Sequence, residues 1–187
     1  MRKKQKGFSL IELLIVVAII LIIAAIAIPN LVRAKISANQ ASAVASVRSL
    51  TTSQIQYQSV YPSIGYAASS LTLGTGAATV PPTPCPPAGV SAAAACMIDG
   101  VLTAASGGFP KSGYDIATTG FVGAGGINTT FLTVAGPDIY NRSGVTAYCS
   151  VEDGVMKQNT ANILSGLAAG PTYAACNAAV APWVAPS

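Results

Sequence analysis

The chain has 187 residues, 51% of them hydrophobic and only 9% charged, with a formal net charge of +4. That balance is too apolar for an ordinary soluble domain, so one membrane-competent segment joined to a modestly hydrophobic domain is expected. Arg2, Lys3, Lys4 and Lys6 hold the whole excess of positive charge, and six basic and six acidic side chains remain without them. A folded basic face for nucleic acid is therefore not expected.

In chain order, the basic stretch 1–7 precedes an apolar run from Phe8 to Ile28, of which Leu13 to Ile28 is apolar without a break. Basic residues on that side keep the N-terminus cytoplasmic. The 21 residues from Phe8 to Ile28 make about 31 Å of helix, enough to cross the hydrocarbon of a bilayer. A secretory signal has a shorter run, about 7–15 residues, and a small-residue cleavage site. Here Pro29-Asn30 follows directly, which reads as an anchor.

Glu12 is an ionisable group inside that run and is costly there unless paired. No Lys or Arg follows it within a helical turn. Its partner is Lys6 across the junction or, more economically, a positive group on another chain, such as a new α-amine at Phe8 after cleavage at Gly7; the alternative is a carboxyl near the interface, protonated or snorkelling. Pro29 removes the helical bond to Ala25 and is expected to end or kink the helix.

The run Lys6-Gly7-Phe8-Ser9-Leu10-Ile11-Glu12-Leu13-Leu14, continuing to Ile20, resembles the prepilin cleavage and methylation signature of type IV pilins and type II secretion pseudopilins. The resemblance implies a prepilin peptidase that cuts Gly7–Phe8 and N-methylates Phe8. It also implies that Glu12 joins subunits, with Pro29 marking a long helix used in assembly. Asn39 to Pro62 is similar to a pilin-like branch related to the major pseudopilins. The implied partners are identical subunits in a helical homopolymer, the prepilin peptidase, an inner-membrane assembly platform, and the lipid bilayer before assembly. The implied location is the inner membrane for the precursor, then an extracellular or periplasmic filament.

Residues 30–61 lack Gly and Pro up to Tyr61 and read as an amphipathic helix, with Val44, Val47, Thr51 and Ile55 as its apolar stripe. Tyr57, Tyr61 and Tyr66 are expected to pack in a core or an interface and not to form an electron path. Residues 62–112 read as a Pro- and Gly-rich loop region with a short helix from Met97 to Ala105, Asp99 near its start. Residues 113–158 alternate in the strand sense over 113–119, 130–135 and 145–151, and Glu152-Asp153-Gly154 turns into Val155-Met156-Lys157. A three- or four-stranded antiparallel sheet is expected. Residues 159–187 form an Ala-, Gly- and Pro-rich tail without charge. The fold class is α+β: a long N-terminal helix, its first half transmembrane (8–29) and its second amphipathic, packed on a small antiparallel sheet.

Cys85, Cys96, Cys149 and Cys176 all follow the anchor, in the exported part, and imply two disulfides. Cys85–Cys96 with Cys149–Cys176 is the expected pairing, while 85–149 with 96–176 and 85–176 with 96–149 stay open. Asp138, Asn141, Glu152 and Asp153 are weak candidates for a calcium ion, which needs six or more oxygens. No cofactor is expected. With no histidine, and with Asp99, Asp115 and Asp138 apart, no catalytic constellation emerges. A structural filament subunit is the leading reading. A major pseudopilin of a type II secretion system is the alternative, followed by a non-polymerising, signal-anchored envelope protein.

Overall fold

The computed structural model describes residues 8–76, 85, 89–105, 109–160, 172–178 and 183–184. Helix α1 runs Leu10–Val60, followed by the short helices α2 (Ser70–Leu73) and α3 (Gly100–Ala105). Four strands come next, β1 (Tyr114–Val122), β2 (Asn128–Pro137), β3 (Ala147–Ser150) and β4 (Lys157–Asn159), and α4 (Tyr173–Asn177) closes the order. The chain divides into two units, Met1–Lys35 and Ile36–Ser187.

In the first unit, none of the described side chains of α1 is buried. Its apolar window reaches a mean hydropathy of 3.3, long and apolar enough to cross a membrane. The helix continues through Pro29 instead of ending there. Asn30 Nδ2 donates to the Ile26 carbonyl oxygen at 3.1 Å, one residue after the Ala25 carbonyl that Pro29 leaves without its helical donor. A side-chain donor thus sits in the turn where the proline supplies no N–H.

The second unit is built around an antiparallel sheet of order β1-β2-β3-β4. Register pairs Ile116 with Ala135, and Ala135 with Tyr148. Alternation therefore puts these residues on one face. Tyr114, Ile116, Ala135 and Tyr148 share one apolar core with Ala43, Val47, Leu50 and Tyr57 of α1. The opposite face carries Leu132, Ala147, Cys149 and Val151, which cluster with Cys176 and Trp183. The sheet lies between the second part of α1 and the C-terminal segment, so both faces lose water. Burial of each large side chain contributes about 1.5–3 kcal/mol.

The buried face of α1 keeps Val47 and Thr51 of the expected stripe, with Val44 partly buried against the core, but it extends over polar positions and leaves Ile55 out. Ile55 is 48% exposed, while Ser46, Ser53 and Gln54 are buried. Periodicity of apolar residues misses this because the polar groups are hydrogen-bonded. Lys111 Nζ donates to Ser46 Oγ at 3.0 Å, and Ser53 Oγ to the Met97 carbonyl oxygen at 3.4 Å. Gln54 is bonded at both ends of its amide.

Three further expectations shift. Strand β4 begins at Lys157, which pairs with Cys149. Asp153 Oδ1 accepts from Val155 N at 2.8 Å and holds that residue in the turn. The tail contains α4, whose first turn is capped when Thr172 Oγ1 accepts from Ala175 N at 3.3 Å. Helix α2 lies in the stretch read as loop, with Ser69 as its N-cap. Most of the proline-rich run, 77–84 and 86–88, falls outside the described residues, as do much of the tail and the leader with Gly7.

Candidate assembly helix

Phe8 stands at the start of the described chain and is 85% exposed. Leu10 opens α1, so Ser9 occupies the N-cap position, and Leu13 N donates to the Ser9 carbonyl oxygen at 3.3 Å. Glu12 is at the third helical position, and its Oε2 accepts from Ser9 N at 3.3 Å. Ser9-x-x-Glu12 is the pattern of a capping box, and this contact is its returning half. The spacing is legible in the sequence, although the charge of Glu12 is the stronger signal there. Glu12 therefore has a local role in starting the helix, alongside the favourable position of a carboxylate at the positive end of the helix dipole.

That role does not neutralise the carboxylate. The ion pair present among the described residues is Lys157 Nζ to Asp153 Oδ2, 2.8 Å, so Glu12 has no cationic partner there. The next basic side chain along α1 is Arg33. Glu12, Pro29 and the exposed apolar surface thus lie on one continuous helix.

The remaining acids separate into individual local tasks. Asp99 Oδ1 accepts from Leu102 N at 2.6 Å and caps α3. Glu152 Oε1 accepts from the Tyr173 hydroxyl, and Asp153 is engaged by Lys157 and Val155. Burial and then the bond to Glu152 push the Tyr173 phenol up to about 12, which keeps it a donor. Asp138, Glu152 and Asp153 do not form one metal-holding group among the described residues. No group of three His, Cys, Asp or Glu capable of holding a metal occurs among the described residues. Asn141 adopts a φ of 63° in the β2–β3 loop.

Cys85 is bonded to Cys96 and Cys149 to Cys176. The second bond fastens α4 to β3, next to the Glu152–Tyr173 contact. Tyr57 packs against Tyr61 in a tilted ring pair with centroids 4.8 Å apart, and Tyr66 against Phe131 at 4.7 Å. The Tyr57 hydroxyl donates to the Ala92 carbonyl oxygen at 2.6 Å. These tyrosines act as core and loop anchors.

Residues 2–28 match the prokaryotic N-terminal methylation motif. Over 51 residues the chain is 49% identical to the type IV major pilin protein PilA of Myxococcus xanthus, which is 27% of this chain and 23% of that protein. Over 56 residues it is 48% identical to the type IV wide pilus major component PilA4 of Thermus thermophilus, 30% of this chain and 43% of that one. The chain thus spans less than half the length of either relative. No solved structure matches it.

Proposed function

We propose that this chain, a type IV pilin family member by its N-terminal segment, is a structural subunit of a type IV pilus-like surface filament. The observation that carries this reading is the exposed apolar length of α1 with Glu12 near its start, a carboxylate without an ion pair among the described residues. A lone chain can hold such a helix in a bilayer, but the carboxylate there is costly without a partner. Lateral packing of identical helices covers the apolar surface and brings in cations from neighbours.

The processing and assembly steps follow from this reading. Prepilin peptidase cuts Gly7–Phe8, releases the basic leader and methylates the new amine of Phe8. That amine of one copy then meets Glu12 of the next. Before assembly the precursor is held in the inner membrane, N-terminus cytoplasmic, and an assembly platform draws it into the filament. The N-terminal match and the pilin relatives support this reading. A major pseudopilin of a type II secretion system shares the same helix, but both relatives are described as pilus components.

Mass spectrometry of sheared surface filaments tests the proposal. The expected product is this chain without residues 1–7 and with a methylated Phe8. Recovery of uncut Met1 only, in a monomeric membrane fraction, would favour a signal-anchored envelope protein. Short periplasmic assemblies dependent on a secretion channel would favour the pseudopilin.

A further inference from the structure

The two disulfides differ in what surrounds them. Cys149 and Cys176 are both 0% exposed and cluster with Trp183. Cys85 is exposed and Cys96 half-buried. The chain near them is open: Val90 is 66% exposed, and a Cβ added at Gly89 would meet nothing within 4 Å. Exchange requires a thiolate to reach one sulfur of the bond, so access ranks the two.

The segment around Cys96 is held by contacts other than its disulfide. The Tyr57 hydroxyl donates to the Ala92 carbonyl oxygen at 2.6 Å. Ala95 N donates to the Thr72 carbonyl oxygen at 2.9 Å, and Met97 N to that of Leu73 at 2.7 Å. Ala95 and Ile98 belong to the core shared with α1. Breaking Cys85–Cys96 therefore leaves residues 92–98 anchored. Cys149–Cys176, by contrast, lies inside the packing that it secures. A thiol reaches it only when that part of the fold opens.

The backbone at Cys96 also favours opening. Its φ of 52° is in the left-handed region, which a residue with a Cβ disfavours. Cys96 N is held there by the Gly74 carbonyl oxygen at 3.0 Å. The disulfide is a second constraint on the same residue, and its loss lets φ relax. Asp99 is the only charged side chain in the sequence between Arg48 and Lys111, so a small uncharged thiol suits this stretch.

We infer that Cys85–Cys96 is a reversible modification site, where a small external thiol becomes attached to Cys85 while Cys149–Cys176 stays closed. The thiol gives its proton to solvent, and its sulfur attacks Cys85 Sγ, on the more exposed residue of the pair. A new S–S bond forms there as the Cys85–Cys96 bond breaks. Cys96 leaves as a thiolate and takes a proton from water. One disulfide replaces another, so the step consumes no oxidant or reductant. When the external thiol is removed, Cys96 attacks the adduct, restores the original bond and releases the thiol.

This inference does not depend on the filament reading. The full chain in detergent, treated with 2-mercaptoethanol and quenched in acid, tests it by peptide mass analysis. The expected product has mercaptoethanol on Cys85, a free thiol on Cys96 and Cys149–Cys176 intact. It should form roughly a hundredfold faster than the second disulfide opens. Trp183 is the single tryptophan, and its emission should stay native because its cluster is untouched. Cys85→Ser with Cys96→Ser should fold with the same emission and take up no thiol. Opening of both disulfides at one rate, or of Cys149–Cys176 first, would overturn the inference, as would the absence of any adduct. An adduct on Cys96 alone would overturn attack at Cys85. Trp183 emission that changes in step with the first opening would make Cys85–Cys96 a staple of the core and not a modification site.

Discussion

Gln54 and Ala67 are joined by both ends of one side-chain amide: Ala67 N donates to Oε1 at 2.8 Å, and Nε2 donates to the Ala67 carbonyl oxygen at 3.2 Å. Nε2 also donates to Thr118 Oγ1 of β1 at 2.9 Å. A fully buried polar side chain on α1 thereby fixes both the loop after the helix and the first strand.

Gln54→Leu should preserve much of the volume but leave a buried backbone donor and acceptor without partners. The cost of such groups is about 1–3 kcal/mol each, so a loss of about 2–4 kcal/mol is expected. Thermal melting of the full chain in detergent should drop by about 5–15 °C. Ile55→Ala, one residue along and on the exposed side, should change stability by less than about 0.5 kcal/mol. Equal effects of the two would refute the assignment of Gln54 to the buried side of α1 and Ile55 to its exposed side.

The long helix, the antiparallel meander and the cysteine-bearing segments were legible because each writes its periodicity or turn chemistry into adjacent residues. Glu152-Asp153-Gly154 is one such signal, and a tight turn stands there. The burial of polar Gln54 and Ser46 on α1 was not legible, because they gain their partners from Ala67, Thr118 and Lys111, far away in sequence. Helix α4 was hidden for a related reason. Its five residues, two of them alanines, are too few to form a helix alone, and it is held by Cys176 bonded to Cys149. At the candidate site, the unusual charge of Glu12 masks the capping box that Ser9 forms with it.

The two disulfides should contribute unequally. Cys149–Cys176 closes a separation of 27 residues and Cys85–Cys96 one of 11. Loop-closure entropy gives about 3–4 kcal/mol for the first and about 2–3 kcal/mol for the second. The double variant Cys149→Ala with Cys176→Ala also uncovers the sheet face beneath Trp183, so it should lower the denaturation midpoint more than Cys85→Ala with Cys96→Ala. The reverse order in chemical denaturation would show that the C-terminal segment adds little to the core.

Asp115 makes a signed prediction for pH. Its carboxyl is raised above 3.8 first by burial and then by Asp138. Below 3.8 the folded and unfolded forms both hold the proton. As pH rises past that value the unfolded chain ionises first, so stability falls until the folded group ionises too, then levels off. Asp115→Asn should remove this segment of the pH–stability curve and raise neutral-pH stability of the monomer. A curve unchanged by the substitution would place the carboxyl in contact with solvent.

Glu12 carries two separable properties, an acceptor for Ser9 N and a negative charge. Glu12→Gln retains an oxygen at the capping position and removes the charge, whereas Glu12→Ala removes both. If Glu12 acts in assembly through the Phe8 amine of a neighbour, both variants should stay membrane-inserted and cut after Gly7, yet fail to form surface filaments. If capping were its whole contribution, Glu12→Gln would assemble normally and only Glu12→Ala would falter, by the roughly 0.5–2 kcal/mol that a cap contributes. Electron microscopy of sheared material, paired with mass analysis of the membrane-bound chain, distinguishes these outcomes. A normal yield of filaments from Glu12→Gln would sink the charge-pairing mechanism, because a neutral amide cannot neutralise the ammonium group brought into the apolar filament interior.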